Sequence, residues 1–164
     1  MICYHGSDIV VNNPKILKSK RPLDFGEGFY VTTSENQAKN WALKVKYRNN
    51  SKLQCISYYE FDYESAKYNL QILEFNKADE LWLNFICDNR IGIYVGNYDI
   101  VIGPVADDKV YRVVVEYENG DIDKADALKK LKTETLCDQI LFHTNESLKY
   151  LKFIKAEVIG DEWT

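Results

Sequence analysis

Histidine is nearly absent from this 164-residue chain: His5 and His143 are the whole supply. Neither stands at ligand spacing from a cysteine or a carboxylate, so no metal site is expected. The four cysteines, Cys3, Cys55, Cys87 and Cys137, form no CxxC pair. Each sits in an apolar run, where cysteine behaves as a small hydrophobe. Cys3 and His5 would share a face of a strand, but nothing else marks a thiol nucleophile. An excess of basic residues is missing too. The formal charge of −4 argues against bulk electrostatic attraction to nucleic acid or membrane. The two basic clusters (Lys15, Lys18, Lys20, Arg21, then Lys44, Lys46, Arg48, Lys52) read as solvated faces. No apolar stretch approaches membrane-spanning length, and no basic segment followed by an apolar run opens the chain. A cytoplasmic protein is expected. Repeats, linkers and low-complexity segments are lacking, so residues 1–164 are expected to form one domain.

What the chain has in quantity is apolar and aromatic surface: 46% hydrophobic residues, 13% aromatic, with twelve tyrosines. That suffices for a core without disulfide staples. The most informative stretch is Phe25-Gly26-Glu27-Gly28-Phe29-Tyr30-Val31-Thr32-Thr33. Two glycines one residue apart permit a backbone approach that side chains would block, and something is expected to lie against them. The run after them reads as a short strand. Thr33 or Ser34 then caps a helix, with Gln37 at capping-box spacing from Ser34 and Ala38, Trp41, Ala42 and Val45 on one face. Tyr30 and Trp41 thus leave adjacent elements, either as two core residues or as two faces for one flat ring.

Along the rest of the chain, 2–5 reads as a first strand ending in Gly6-Ser7, and 12–24, with two prolines, as a long loop or one short turn of helix. Leu53–Phe61 alternates like a strand, and 70–75 forms a second short one. Asn76 is placed to cap a core-facing helix that carries Ala78, Leu81, Trp82, Phe85 and Ile86 and ends near Asn89-Arg90-Ile91-Gly92. Residues 98–104 read as a strand. Asp107 or Asp108 caps a helix over 109–117, whose β-branched content leaves strand open. An amphipathic helix follows at 123–132, then a strand at 138–144, a short helix at 145–151 and a last strand at 153–159. Strands and helices do not alternate regularly, which indicates an α+β fold.

Tyr4-His5-Gly6-Ser7 on a first strand, GEGFYVTT leading into a helix with an aromatic eleven residues after the Tyr, and a late strand with Gln139 near its start together resemble the ADP-ribosyltransferase superfamily. The likeness is to its diphtheria-toxin and poly(ADP-ribose) polymerase branch, marked by a His, Tyr, Glu triad. The chain is also similar to an uncharacterised bacterial family with the same YHGS and DFGxGFYxT segments. The resemblance implies split antiparallel sheets with flanking helices and NAD as co-substrate, with no metal. It implies that His5 hydrogen-bonds a ribose hydroxyl, that Gly6 holds the nicotinamide amide through its main chain, and that Tyr30 and Trp41 enclose the ring. Ser7, Gly28 and Phe29 fall in the matched segments as further NAD-binding residues, and Arg21 is a candidate for the pyrophosphate.

Two positions depart from the pattern. The polymerases have a Ser three residues before the helical aromatic, where this chain has Ala38. The third triad position holds Gln139 in place of Glu; an amide still bonds a hydroxyl but brings no charge and is no general base. Asp138 points to the opposite face, and Glu27 or Glu134 would serve only if the fold brings them close. His143 shares a face with Gln139 and is a secondary candidate, while Asp99, Asp107 and Asp108 read as turn and cap residues. The implied activity is ADP-ribose transfer to a macromolecule, protein or nucleic acid, by the toxin of a bacterial toxin–antitoxin or defence system with an antitoxin partner. A noncatalytic NAD-binding or protein-interaction module is the alternative that Gln139 keeps open.

Overall fold

The computed structural model describes residues 1–18, 23–93, 96–104, 108–132 and 138–160. Along the chain these form β1 (Ile2–Ser7), β2 (Phe29–Thr32), α1 (Glu35–Arg48), β3 (Leu53–Phe61), α2 (Tyr63–Asn69), β4 (Ile72–Glu74), α3 (Glu80–Arg90), β5 (Ile100–Pro104), α4 (Asp108–Glu118), α5 (Lys124–Leu131), β6 (Asp138–Phe142), α6 (Asn145–Leu148) and β7 (Leu151–Gly160). The fold is α+β. All seven strands join one sheet in the order β4-β5-β6-β2-β1-β3-β7. The expectation of antiparallel strands throughout is corrected at one place, since β4 runs parallel to β5. The sheet is nonetheless nearly divided. β1 pairs with β3 from Ile2↔Glu60 to Ser7↔Cys55, whereas β1 and β2 meet only at Tyr4↔Thr32.

Side-chain alternation along the strands builds a core on each face. Phe29, Val31, Ile140 and Phe142 pack with Cys3, Tyr59, Phe61, Ile100 and Leu151. Val101 and Leu141 face the other way, towards Phe25 and the helices α3, α4 and α5, which contribute Trp82, Leu83, Ile86, Val110, Val114, Ala127 and Leu131. The segment around 109–117 is a helix despite its valines because Val110, Val113 and Val114 recur at helical spacing and are all buried; burial outweighs the small propensity cost of β-branching. Buried Trp82 keeps its indole N–H satisfied by donating to the Pro104 carbonyl at 3.0 Å. No helix among the described residues is long and apolar enough to cross a membrane.

α1 lies across β1 and sets the site. Ser34 caps it by accepting from the Gln37 N–H at 3.3 Å. Its buried stripe is Ala38, Ala42 and Val45; small residues at the first two positions let the helix backbone come down onto the strand. A Cβ on Gly6 would fall 2.0 Å from the Ala38 carbonyl oxygen, so glycine is required at that contact.

Candidate functional site

Which way each backbone group points follows from two hydrogen bonds. The Phe61 N–H donates to the Met1 carbonyl at 2.8 Å. Groups alternate sides along an antiparallel strand, so odd residues of β1 face β3 and the even residues Ile2, Tyr4 and Gly6 face β2. Likewise the His143 N–H donates to the Asp99 carbonyl at 2.8 Å, which turns Ile140 and Phe142 towards β2. Their partners Val31 and Phe29 face β6 in return, and Tyr30 and Thr32 face β1. Tyr4 and Thr32 close the last pair. One step further, Gly6 points an N–H and a C=O at Tyr30 with no ladder partner. The sheet's split therefore opens on a backbone donor and acceptor side by side.

His5 keeps it open. Its Nδ1 lies 2.7 Å from the Tyr30 carbonyl oxygen, the group a zipped sheet would give to Gly6. A carbonyl only accepts, so Nδ1 carries the proton and Nε2 of the neutral ring is left as an acceptor. Burial pushes the His5 pKa down, with the Tyr30 contact opposing, and the ring is neutral at pH 7. Phe29 stacks on it with centroids 4.5 Å apart. Phe29 itself is buried in the core, so it positions His5 and presents no ring to the split.

The Tyr30 hydroxyl donates to the Gly26 carbonyl at 2.7 Å and accepts from the Phe25 N–H at 3.3 Å. Its polar end is thus committed to the glycine loop, burial drives its pKa up, and its ring packs against the core that holds Phe25 and Leu141. The loop is held from several sides. Arg90 donates through Nε and Nη2 to Asp24 Oδ1 at 2.9 and 2.8 Å. A Cβ on Gly28 would sit 2.2 Å from the Phe142 carbonyl oxygen, and one on Gly26 would sit 3.3 Å from His143 Cε1. The close approach that the two glycines allow is thus made by β6 and its end. His143, bonded to the Glu27 backbone and lowered in pKa mainly by burial, is an anchor of this loop.

Gln139 pairs across the strands with Thr32 on one side and Gly103 on the other. It shares a face with Tyr30, diagonally displaced at about 7–8 Å. The side chain is only 8% exposed, and its Nε2 has no hydrogen-bond partner. Sequence reasoning missed Thr32, whose hydroxyl lies 2.9 Å from Gln37 Oε1 and 2.8 Å from the Asp138 carbonyl oxygen. It ties the first turn of α1 to the strand bearing Gln139, and its alternation with Tyr30 was the available signal. It also replaces the expected capping box: Ser34 N–H donates to Thr32 Oγ1 at 3.1 Å.

Trp41 is not in the core. Half of it is exposed, with the Arg48 guanidinium 5.9 Å from its ring centroid. It leaves α1 between Ala38 and Ala42, the two positions that meet Gly6, so Gly6 links the Trp41 turn to Tyr30. Ser7 closes β1 with its hydroxyl turned to Asp8 at 3.4 Å. Cys3 lies in the core and burial pushes its thiol up to about 12, the reverse of what a nucleophile needs. Arg21, Glu134, Asp107 and Cys137 lie outside the described residues. Among the described residues no group of three or more His, Cys, Asp or Glu side chains could hold a metal ion.

A family model described as a protein of unknown function (DUF3990) matches residues 1–153. No curated protein and no solved structure matches the chain.

Proposed function

We propose that the chain, which belongs to that family of unknown function, binds NAD in the split between β1 and β2 and transfers its ADP-ribose to a macromolecular acceptor. The observation that carries this reading is the backbone of Gly6, which no ladder pair joins to Tyr30, with a neutral His5 on one face of the sheet and the Tyr30 ring on the other. A primary amide such as that of nicotinamide pairs with one backbone donor and one acceptor together. The pyridinium would then lie on Tyr30, with Trp41 on the neighbouring helix, and a ribose hydroxyl would donate to His5 Nε2. The unpartnered Nε2 of Gln139 would donate to another ribose oxygen. As the glycosidic bond breaks, its electron pair leaves with nicotinamide, and positive charge grows on the ribose carbon that the acceptor attacks.

Gln139 meets that charge with a dipole only. A missing electrostatic group typically costs about 3–4 kcal/mol of transition-state stabilisation, which makes a slow transferase. The same feature favours a second reading, a noncatalytic NAD-binding module on this fold. A toxin role with an antitoxin partner rests on likeness alone.

Calorimetric titration with NAD together with chromatographic detection of released nicotinamide separates the readings. Binding with slow release is expected. His5→Asn keeps an amide N–H near Nδ1 for the Tyr30 carbonyl but removes Nε2, and release should fall at least about tenfold. Gln139→Glu should raise release, by up to about a hundredfold. Binding without release under any condition supports the module, and absence of both binding and release overturns the assignment.

A further inference from the structure

We infer that β7 is a self-association edge through which two copies of this chain pair antiparallel about Ala156. β7 ends the sheet order, and the directions established for β1 extend to it. Since odd residues of β3 face β1, Gln54, Ile56 and Tyr58 face β7, where their partners are Ile159, Glu157 and Lys155. Those three spend their backbone groups on β3. Ala156 and Val158 turn theirs outward, where the sheet has no further strand among the described residues. The strip is apolar as well as unpaired: Ile154 is 49% exposed, Val158 52% and Ile159 42%.

The occupant follows from register. Edges of this kind are commonly blunted by charge, and here the charges are Lys155 and Glu157, 2.8 Å apart within one chain. If outward residues pair with outward residues around a two-fold axis, the axes nearest the charged pair pass through Lys155, Ala156 or Glu157. The first sets Lys155 against the partner's Lys155, and the third sets Glu157 against the partner's Glu157; both juxtapose like charges. Centring on Ala156 puts Lys155 opposite the partner's Glu157 twice over. Of the three, only this register is self-complementary, as an isologous interface must be. A second copy of the chain is therefore the partner the edge fits.

Sedimentation equilibrium over a concentration series tests this, with circular dichroism to confirm that each variant folds. The unmodified chain should dimerise. Glu157→Lys and Lys155→Glu should each weaken self-association roughly tenfold or more, because both cross-strand pairs become repulsive. An equimolar mixture of those two variants should form heterodimers, visible by native mass spectrometry. Ala156→Pro removes an N–H that faces away from β3, a substitution edge strands tolerate, and should give monomer. A chain monomeric throughout the series, a dimer that survives both Glu157→Lys and Ala156→Pro, or a mixture that fails to heterodimerise would overturn the proposal.

Discussion

Replacing Gly6 by alanine puts a methyl carbon where α1 already stands. It would lie 2.0 Å from the Ala38 carbonyl oxygen and 2.9 Å from both the Ala38 carbonyl carbon and the Ala42 nitrogen. Relaxed non-bonded contacts need about 3.5 Å, so helix and strand must separate by more than about 1 Å. All three obstructing atoms are backbone, and no side chain can rotate away. The retreat loosens Ala38, Ala42 and Val45 together, since they are the buried stripe of α1. Overpacking of this kind costs about 1–3 kcal/mol, and for a domain of this size about 2–4 °C of Tm accompanies each kcal/mol. Gly6→Ala should therefore melt about 2–12 °C below the parent in a calorimetric or dichroism scan. It should also lose NAD binding by more than the melting shift explains, because the turn carrying Trp41 moves off the split. A variant that melts within about 1 °C of the parent would refute the close approach, and with it the link from Trp41 through Gly6 to Tyr30.

Burial makes both His5 and His143 harder to protonate in the fold, so below the ordinary histidine value of about 6.5 the unfolded chain binds more protons. Stability should be whole above about pH 7 and should fall as pH drops towards about 5, and His5→Asn should flatten that slope in denaturant titrations. Arg90→Ala strands the Asp24 carboxylate that it pairs at 2.8 Å. Asp24 is partly exposed, so the loss should be about 2–3 kcal/mol, below the 3–5 of a fully buried pair, with Tyr30 and the glycine loop loosened; urea midpoints measure it. An Arg90→Ala chain as stable as the parent would remove that ion pair from the account of the loop.

Much of the fold was legible where the signal is local. Leu53–Phe61 alternates and is β3 residue for residue, and Ser34 caps α1 as its spacing indicates. Helix boundaries were harder where several caps compete: the structure starts α3 from Asp79, whose carboxylate accepts from Leu81 and Trp82 N–H, and leaves Asn76 outside it. α2 went unread because a seven-residue helix shows too little periodicity; its cap, Asp62 accepting from Ser65 N–H, was the one cue. The parallel β4–β5 pair and the packing of Gly28 against Phe142 were not legible, since pairing between distant segments leaves no mark in either alone. Trp41 shows the limit of periodicity. Three residues from Ala38 and four from Val45, it reads as part of the buried face, yet it sits at the stripe's margin and is half exposed. For the site, the sequence supplied residue types in order, but not the backbone directions that turn the unpaired edge of Gly6 into the split.

The simplest account of His5 is a strand-end histidine satisfied by a backbone carbonyl, and its Nδ1 contact with Tyr30 at 2.7 Å fits that account. The two roles do not compete, because they use different nitrogens. Satisfaction at Nδ1 fixes the tautomer and aims the lone pair of Nε2. The bond also falls on the Tyr30 carbonyl, at the point where the β1–β2 ladder stops. The Gln139 amide lies on the same sheet face as Tyr30 and is buried with its Nε2 unpartnered, the feature on which the Gln139→Glu test bears.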